Sequence, residues 1–266
     1  MSVSQAAILG VVQGLTEFLP ISSSGHLVLA NYYLGWGEVL PLYVDIATNT
    51  GTLLAVLFVF RFDVWTAAQG FFRGIVSQEA RRQEGWNVAR LVLVGSLPTA
   101  LIGLALKGGF ERLNAPVPVS VALLATGFLL WFTPKPGTKD RAGQLSLRDA
   151  LIAGVAQGLA VIPGISRSGV TIASLLWRGA SSELAPRLSF LMYLTVSVGV
   201  AFLGLGEFRE ANLPVAPLLV MTIASFLSGY VALLWLFSVL RKGRFRWFAP
   251  YLWGVGLLTL AHVYLR

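Results

Sequence analysis

Residues 11–27 read VVQGLTEFLPISSSGHL, and the same pattern returns at residues 155–171 as VAQGLAVIPGISRSGVT. A chain of this kind is expected to fold as two related halves, each built around the same interrupted element. Eight of the seventeen aligned positions are identical, including Gln13/Gln157, Gly14/Gly158, Ile21/Ile165, Ser22/Ser166, Ser24/Ser168 and Gly25/Gly169. The polar differences divide the chemistry. Glu17 faces Val161, Ser23 faces Arg167 and His26 faces Val170, so one copy carries an acid and an imidazole and the other a cation.

Hydrophobic residues make up 56% of the chain and charged residues only 12%, a balance that belongs to a polytopic membrane protein. A cleavable signal peptide needs a basic region ahead of its apolar core, and residues 1–19 contain no Lys or Arg, so the first apolar segment is expected to stay in the mature chain. The absence of Cys excludes disulfides and thiolate metal sites. A net charge of +8 would suit nucleic acid only on the basic face of a soluble domain, and here the charge sits in loops, so no nucleic-acid partner is expected.

About 20 apolar residues cross a bilayer core. Six segments qualify, at about 39–60, 88–106, 118–132, 188–205, 218–240 and 247–265. The two repeat segments do not, because Pro, Gly and Ser interrupt them at 20–25 and 163–169. Each reads as a re-entrant hairpin, at 5–34 and 148–178. Non-helical backbone at membrane depth must be buried or line a wet cavity, so the two breaks point to a binding site. The fold class is therefore an all-α integral membrane protein, a single domain over 1–266. Its repeats cover about 1–133 and 147–266, each a hairpin followed by three spans. Three is odd, so the second half starts from the opposite face and the repeats are inverted. Fifteen Lys and Arg fall on one face, against Lys107, Arg112, Arg209 and Arg266 on the other. The rich face is read as cytoplasmic and both termini as outside. Arg167 belongs to neither face.

A charge held inside a membrane is costly and marks function. Gln13 and Glu17, four apart, share a helix face. Ser22, Ser23, Ser24 and Gly25 form an N-cap for a second half-helix, whose positive end suits phosphate. Ser166, Arg167, Ser168 and Gly169 repeat the device, with Thr171 one turn on, and the planar fork of Arg167 suits a phosphate. His26 can act as acid or base, and Ser23 or Ser24 as nucleophile or phosphate ligand. Glu17 and Gln13 offer hard oxygen ligands for Mg²⁺ or Ca²⁺. Asp45 and Asn49, one turn apart, are either further ligands in the site wall or helix-to-helix hydrogen bonders.

The segments at 13–27 and 163–171, together with DIATNTGTLLAV at 45–56, resemble the undecaprenyl-diphosphate phosphatase (bacitracin resistance, BacA/UppP) family over essentially the whole chain. The family's first motif is Glu or Gln, three intervening residues and Glu, which Gln13 and Glu17 match. Its functional Ser, His and Arg fall on Ser23, His26 and Arg167, and Ser24 stands where Thr is also found. The resemblance implies metal-dependent hydrolysis of undecaprenyl diphosphate to undecaprenyl phosphate and inorganic phosphate, at the outer face of the bacterial cytoplasmic membrane. That reaction recycles the lipid carrier of peptidoglycan synthesis.

Type 2 phosphatidic acid phosphatases also use SSGH and SR elements, but their His six residues after the Arg would fall on Ala173. A polyprenyl-phosphate carrier would use the same anion site, because inverted repeats with broken helices are a transporter architecture. Self-association as a homodimer stays open. His262 is read as part of an interfacial aromatic belt with Tyr251, Trp253 and Tyr264, and Gly14, Gly51, Gly95, Gly103 and Gly229 as close-packing positions. The loop at 61–86 is read as an interfacial helix or an extension of the first span.

Overall fold

The computed structural model describes residues 1–36, 42–106, 111–208 and 215–265. They form the helices α1 (Val3–Phe18), α2 (Ser23–Leu34), α3 (Leu42–Val59), α4 (Arg61–Val76), α5 (Glu84–Ala105) and α6 (Pro116–Trp131). After these come α7 (Leu147–Leu159), α8 (Arg167–Trp177), α9 (Leu184–Phe208), α10 (Val215–Arg241) and α11 (Phe248–Tyr264). Among the described residues the β-pairing is a single bridge between Lys139 and Ala180. The six segments read as spans fall on the helices α3, α5, α6, α9, α10 and α11. Residues 39–41 of the first span, and the basic residues Lys107, Arg209 and Arg266, lie outside the described residues.

Local chemistry sets where the helices begin and end. Ser2 caps α1 through the N–H of Gln5 (3.2 Å), and the Gln5 side chain accepts from the Ser2 N–H (2.7 Å), a capping box. The helix stops at Leu19, which is extended (φ −67°, ψ 146°) because Pro20 follows it. Ser146 and Asp149 form the same reciprocal cap on α7. That helix ends before Pro163 and Gly164, and Gly164 takes a φ of +94° that a side chain would resist. Both sequence breaks are thus breaks in helix, as expected.

α5 and α10, with 22 and 27 residues, are each long and apolar enough to cross a membrane. α3 and α4 meet at 73°, so α4 does not continue the first span in line with it. Its Phe62, Trp65, Phe72 and Val76 are exposed, while Gly70 and Gly74 pack on Gly85 and Trp86. An exposed apolar face of this kind suits the bilayer interface.

Small residues let the interrupted elements pack closely on long helices. A Cβ added to Gly10 of α1 would lie 2.6 Å from the Met221 carbonyl oxygen of α10, and one added to Gly154 of α7 would lie 1.9 Å from the Gly95 carbonyl oxygen of α5. Gly10 and Gly154 are 144 positions apart, the spacing of the repeat. Hydroxyls stitch the helices further: Thr99 donates to the Gly154 carbonyl (2.9 Å), and Ser225 donates to the Thr48 carbonyl (2.7 Å). Gly14, Gly51, Gly95 and Gly229 all sit in close contacts, as expected. Gly103 does not: among the described residues nothing lies within 4 Å of its Cβ direction, and its place in the packing set is corrected on that basis.

Candidate active site

The two breaks meet. A Cβ on Gly25 would lie 3.1 Å from the Gly164 Cα, and one on Gly169 would lie 3.3 Å from the Pro20 Cβ. Pro20 and Gly164 are again 144 positions apart, so each hairpin tip rests on the counterpart of the residue that its own half presents. Ser168 donates across the seam to the Leu19 carbonyl (3.1 Å), and Thr126 of α6 holds the Gly164 carbonyl (3.0 Å).

Beside this seam lies a cavity of about 230 Å³. Gln13, Glu17 and the serines 22, 23 and 24 form one part of its wall, and Asp45 and Asn49 of α3 another. Ser166 and Arg167 come from the second hairpin, and Leu27, Ala160 and Ile165 supply apolar surface. Those three apolar positions carry no chemical signal in the sequence.

The Gln13 amide donates to Glu17 Oε2 (3.0 Å) and to Asn49 Oδ1 (3.1 Å), and the Ser23 hydroxyl donates to the same Glu17 oxygen. Of the two readings held open for Asn49, the wall and the hydrogen bond between helices both hold. Gln13 Oε1 is buried and has no hydrogen-bond partner among the described residues. Facing this acidic group is Arg167, whose guanidinium lies over the Tyr193 ring at 5.1 Å. Among the described residues no carboxylate pairs with it. An acid and an uncommitted cation therefore look into one cavity.

Ser22 is the one non-glycine residue with positive φ among those described (70°). This uncommon conformation turns the chain so that Ser22 caps Gly25 N–H (3.4 Å), while Ser166 caps Gly169 N–H (3.1 Å). The N–H groups of Gly25 and Gly169 are thus taken by their own caps. Those of Ser23 and Ser24 in α2, and of Arg167 and Ser168 in α8, have no partner within their helices. Thr171 is fully buried and donates to the Arg167 carbonyl (2.8 Å), which places it behind the cavity wall.

His26 also lies off that wall. Its Nδ1 is 2.8 Å from the Ser22 carbonyl, which can only accept, so Nδ1 carries the proton. In the neutral ring Nε2 then accepts from the Tyr251 hydroxyl at 2.8 Å, and the two rings stack. Tyr251, read from the sequence as part of an aromatic belt, also serves His26, and His262 packs on Tyr32 and Tyr33. No group of three His, Cys, Asp or Glu gathers among the described residues. Glu17 and Asp45 bring carboxylates to the cavity wall, few enough that a hard ion held there would keep several waters, while Gln13 Oε1 is buried beside them.

The molecule is thus a membrane-embedded helical protein whose polar cavity lies where two interrupted helices meet. The chain belongs to the bacitracin resistance protein BacA family, whose family model matches residues 6–258. It is similar to the undecaprenyl-diphosphatase of Acaryochloris marina, at 68% identity over 99% of both chains. It is also similar to the undecaprenyl-diphosphatase of Desulfatibacillum aliphaticivorans, at 41% over 96% of this chain and 97% of the other. Undecaprenyl-diphosphatase 1 of Halalkalibacterium halodurans is 36% identical over 96% of this chain and 94% of that protein.

Proposed function

We propose that this protein hydrolyses undecaprenyl diphosphate to undecaprenyl phosphate and inorganic phosphate, in the bacterial cytoplasmic membrane with the cavity open to the outer face. The observation that carries this reading is one cavity lined both by Glu17, already bonded to Gln13 and Ser23, and by the uncommitted Arg167. Kinship with undecaprenyl-diphosphatases supplies the substrate class.

In this reading Arg167 and the N–H groups of the two helix starts hold the diphosphate, and the prenyl tail stays in lipid. Ser23 is the nucleophile, because its hydroxyl donates to a carboxylate on the cavity wall whereas both His26 nitrogens are engaged away from it. Glu17 takes the Ser23 proton as Oγ bonds to the terminal phosphorus and the bond to undecaprenyl phosphate breaks. Water then hydrolyses the phosphoserine and releases phosphate. Arg167 stabilises the charge that develops on the transferred group. Glu17 and Gln13, with Asp45 and Asn49 beside them, would hold Mg²⁺ or Ca²⁺, which when bound neutralises diphosphate charge.

The repeats are proposed as inverted units over about 1–133 and 147–266 of one domain. The reciprocal contacts of Gly25 on Gly164 and Gly169 on Pro20 support this, as does the fifteen-to-four distribution of basic residues. The test is phosphate release from undecaprenyl diphosphate by purified protein with Mg²⁺, Ca²⁺ or a chelator, alongside Glu17→Ala and Arg167→Ala. Metal-dependent release that both variants lose is expected. A folded protein that binds the lipid without releasing phosphate would instead be a polyprenyl-phosphate carrier.

A further inference from the structure

Besides the large cavity, Glu17 and Arg167 also line a second and much smaller pocket of about 10 Å³. Glu17 and Arg167 line both spaces, so a group held in the small one lies against the two charged side chains of the large one. The polar groups facing the small space are Glu17, Gln157, Arg167, Ser168, Ser189 and Tyr193. Gln157 is the repeat counterpart of Gln13, but its surroundings differ. Gln13 gives its amide to Glu17 and Asn49, whereas Gln157 is 2% exposed and neither its Nε2 nor its Oε1 has a hydrogen-bond partner among the described residues.

A buried carboxamide left unpaired at both ends is costly. At about 10 Å³ the pocket is at the lower limit for a single water and far too small for phosphate. A bare cation would sit beside the Arg167 charge and could not satisfy the Gln157 N–H₂. A water molecule uses the amide donor and the amide acceptor, and its remaining valences reach a carboxylate, a guanidinium or a hydroxyl.

We propose that Gln157 holds an ordered water against Glu17 and Arg167 in the small pocket. Through that water Gln157 fixes where these two groups stand in the large cavity. It is a positioning residue, for it touches neither substrate nor metal. The catalytic part of this inference rests on the phosphatase reading above; the water site does not.

Two variants separate this role from simple packing. Met matches the volume of Gln and cannot hold a water, while Ser leaves space for additional water and keeps a polar partner. If Gln157 acts through water, Gln157→Met lowers kcat for phosphate release on the order of tenfold to a hundredfold, as loss of an orienting partner does. KM then stays within about twofold, and Gln157→Ser recovers most of the rate. If Gln157 only fills space, the order is reversed, with Met tolerated and Ser impaired, and the proposal fails. A structure of the wild-type protein at a resolution that shows single waters supplies the independent arm. Density for one water bonded to the Gln157 amide and to Glu17 or Arg167 is expected, and an amide bonded to protein groups in a dry pocket would overturn the proposal. Wild-type protein inactive in the assay would remove the phosphatase reading alone and leave the density to decide the water site.

Discussion

The Tyr251 hydroxyl stands 2.8 Å from His26 Nε2, and the two rings lie 5.7 Å apart and within 7° of parallel. The bond joins the start of α2 to α11, across 225 residues of sequence, and it acts together with the Ser22 carbonyl to hold the imidazole from both sides. Tyr251→Phe keeps the stacking surface and deletes only the hydroxyl. The loss expected is about 1 kcal/mol of folding stability. Thermal unfolding of the two purified proteins in detergent measures it. His26→Ala, which also frees the strained Ser22 turn, should cost more stability than Tyr251→Phe does.

The base of the second hairpin is held by Asp149, which is nearly buried and pairs with Arg178 at the far end of α8. Asp149 also closes the Ser146 cap, receiving that residue's N–H (2.8 Å) and hydroxyl (2.9 Å). Removing the carboxylate therefore undoes a helix cap and a tie between the two half-helices at once. Asp149→Ala is expected to cost about 1–3 kcal/mol. Arg178→Ala should cost less, because that side chain is 42% exposed and solvent screens its share of the pair. Thermal unfolding in detergent, followed by circular dichroism, would rank the two.

Much of the architecture was legible in the chain because membrane depth leaves few options for backbone. Pro20 and the serines after it could not continue a helix, and the matching break at Pro163 and Gly164 announced a second hairpin. Gln13 and Glu17 were legible as one group because a helix brings positions four apart together, and the 3.0 Å bond between them follows. The partnership of His26 with Tyr251 was not legible. It depends on how α11 packs, and no local pattern encodes a contact between residues so far apart. Gln157 had a signal in its alignment with Gln13. Alignment alone, however, cannot reveal that one amide is satisfied and the other is not.

Close packing makes an opposed pair of glycine substitutions informative. At Gly164 a methyl group would meet both the Ala122 Cβ and the Val119 carbonyl oxygen at 2.6 Å, and the backbone φ of +94° resists any side chain. Gly164→Ala should therefore destabilise the hairpin seam by about 3 kcal/mol or more and abolish activity. Gly103, in α5, meets nothing among the described residues where a Cβ would go. Gly103→Ala is expected to be neutral or to stabilise by about 0.5–1 kcal/mol through helix propensity. Expression yield and unfolding midpoint in detergent distinguish the two outcomes, and a tolerated Gly164→Ala would contradict the tip-to-tip packing.

Arg167 offers a sharper test of the anion site than its deletion, since Ala removes charge and shape together. The guanidinium lies over the Tyr193 ring at 5.1 Å and has no carboxylate partner among the described residues, so the ring fixes its plane while its donors stay available. Arg167→Lys keeps the charge and gives up the planar fork and the stacking. If the fork grips a phosphate through two donors, KM for undecaprenyl diphosphate should rise roughly tenfold, with a further loss in kcat from the loosened transferring group. If only net charge in the cavity matters, Lys should perform like Arg in both parameters. Measuring kcat and KM for this one variant therefore separates bidentate recognition by Arg167 from simple charge neutralisation.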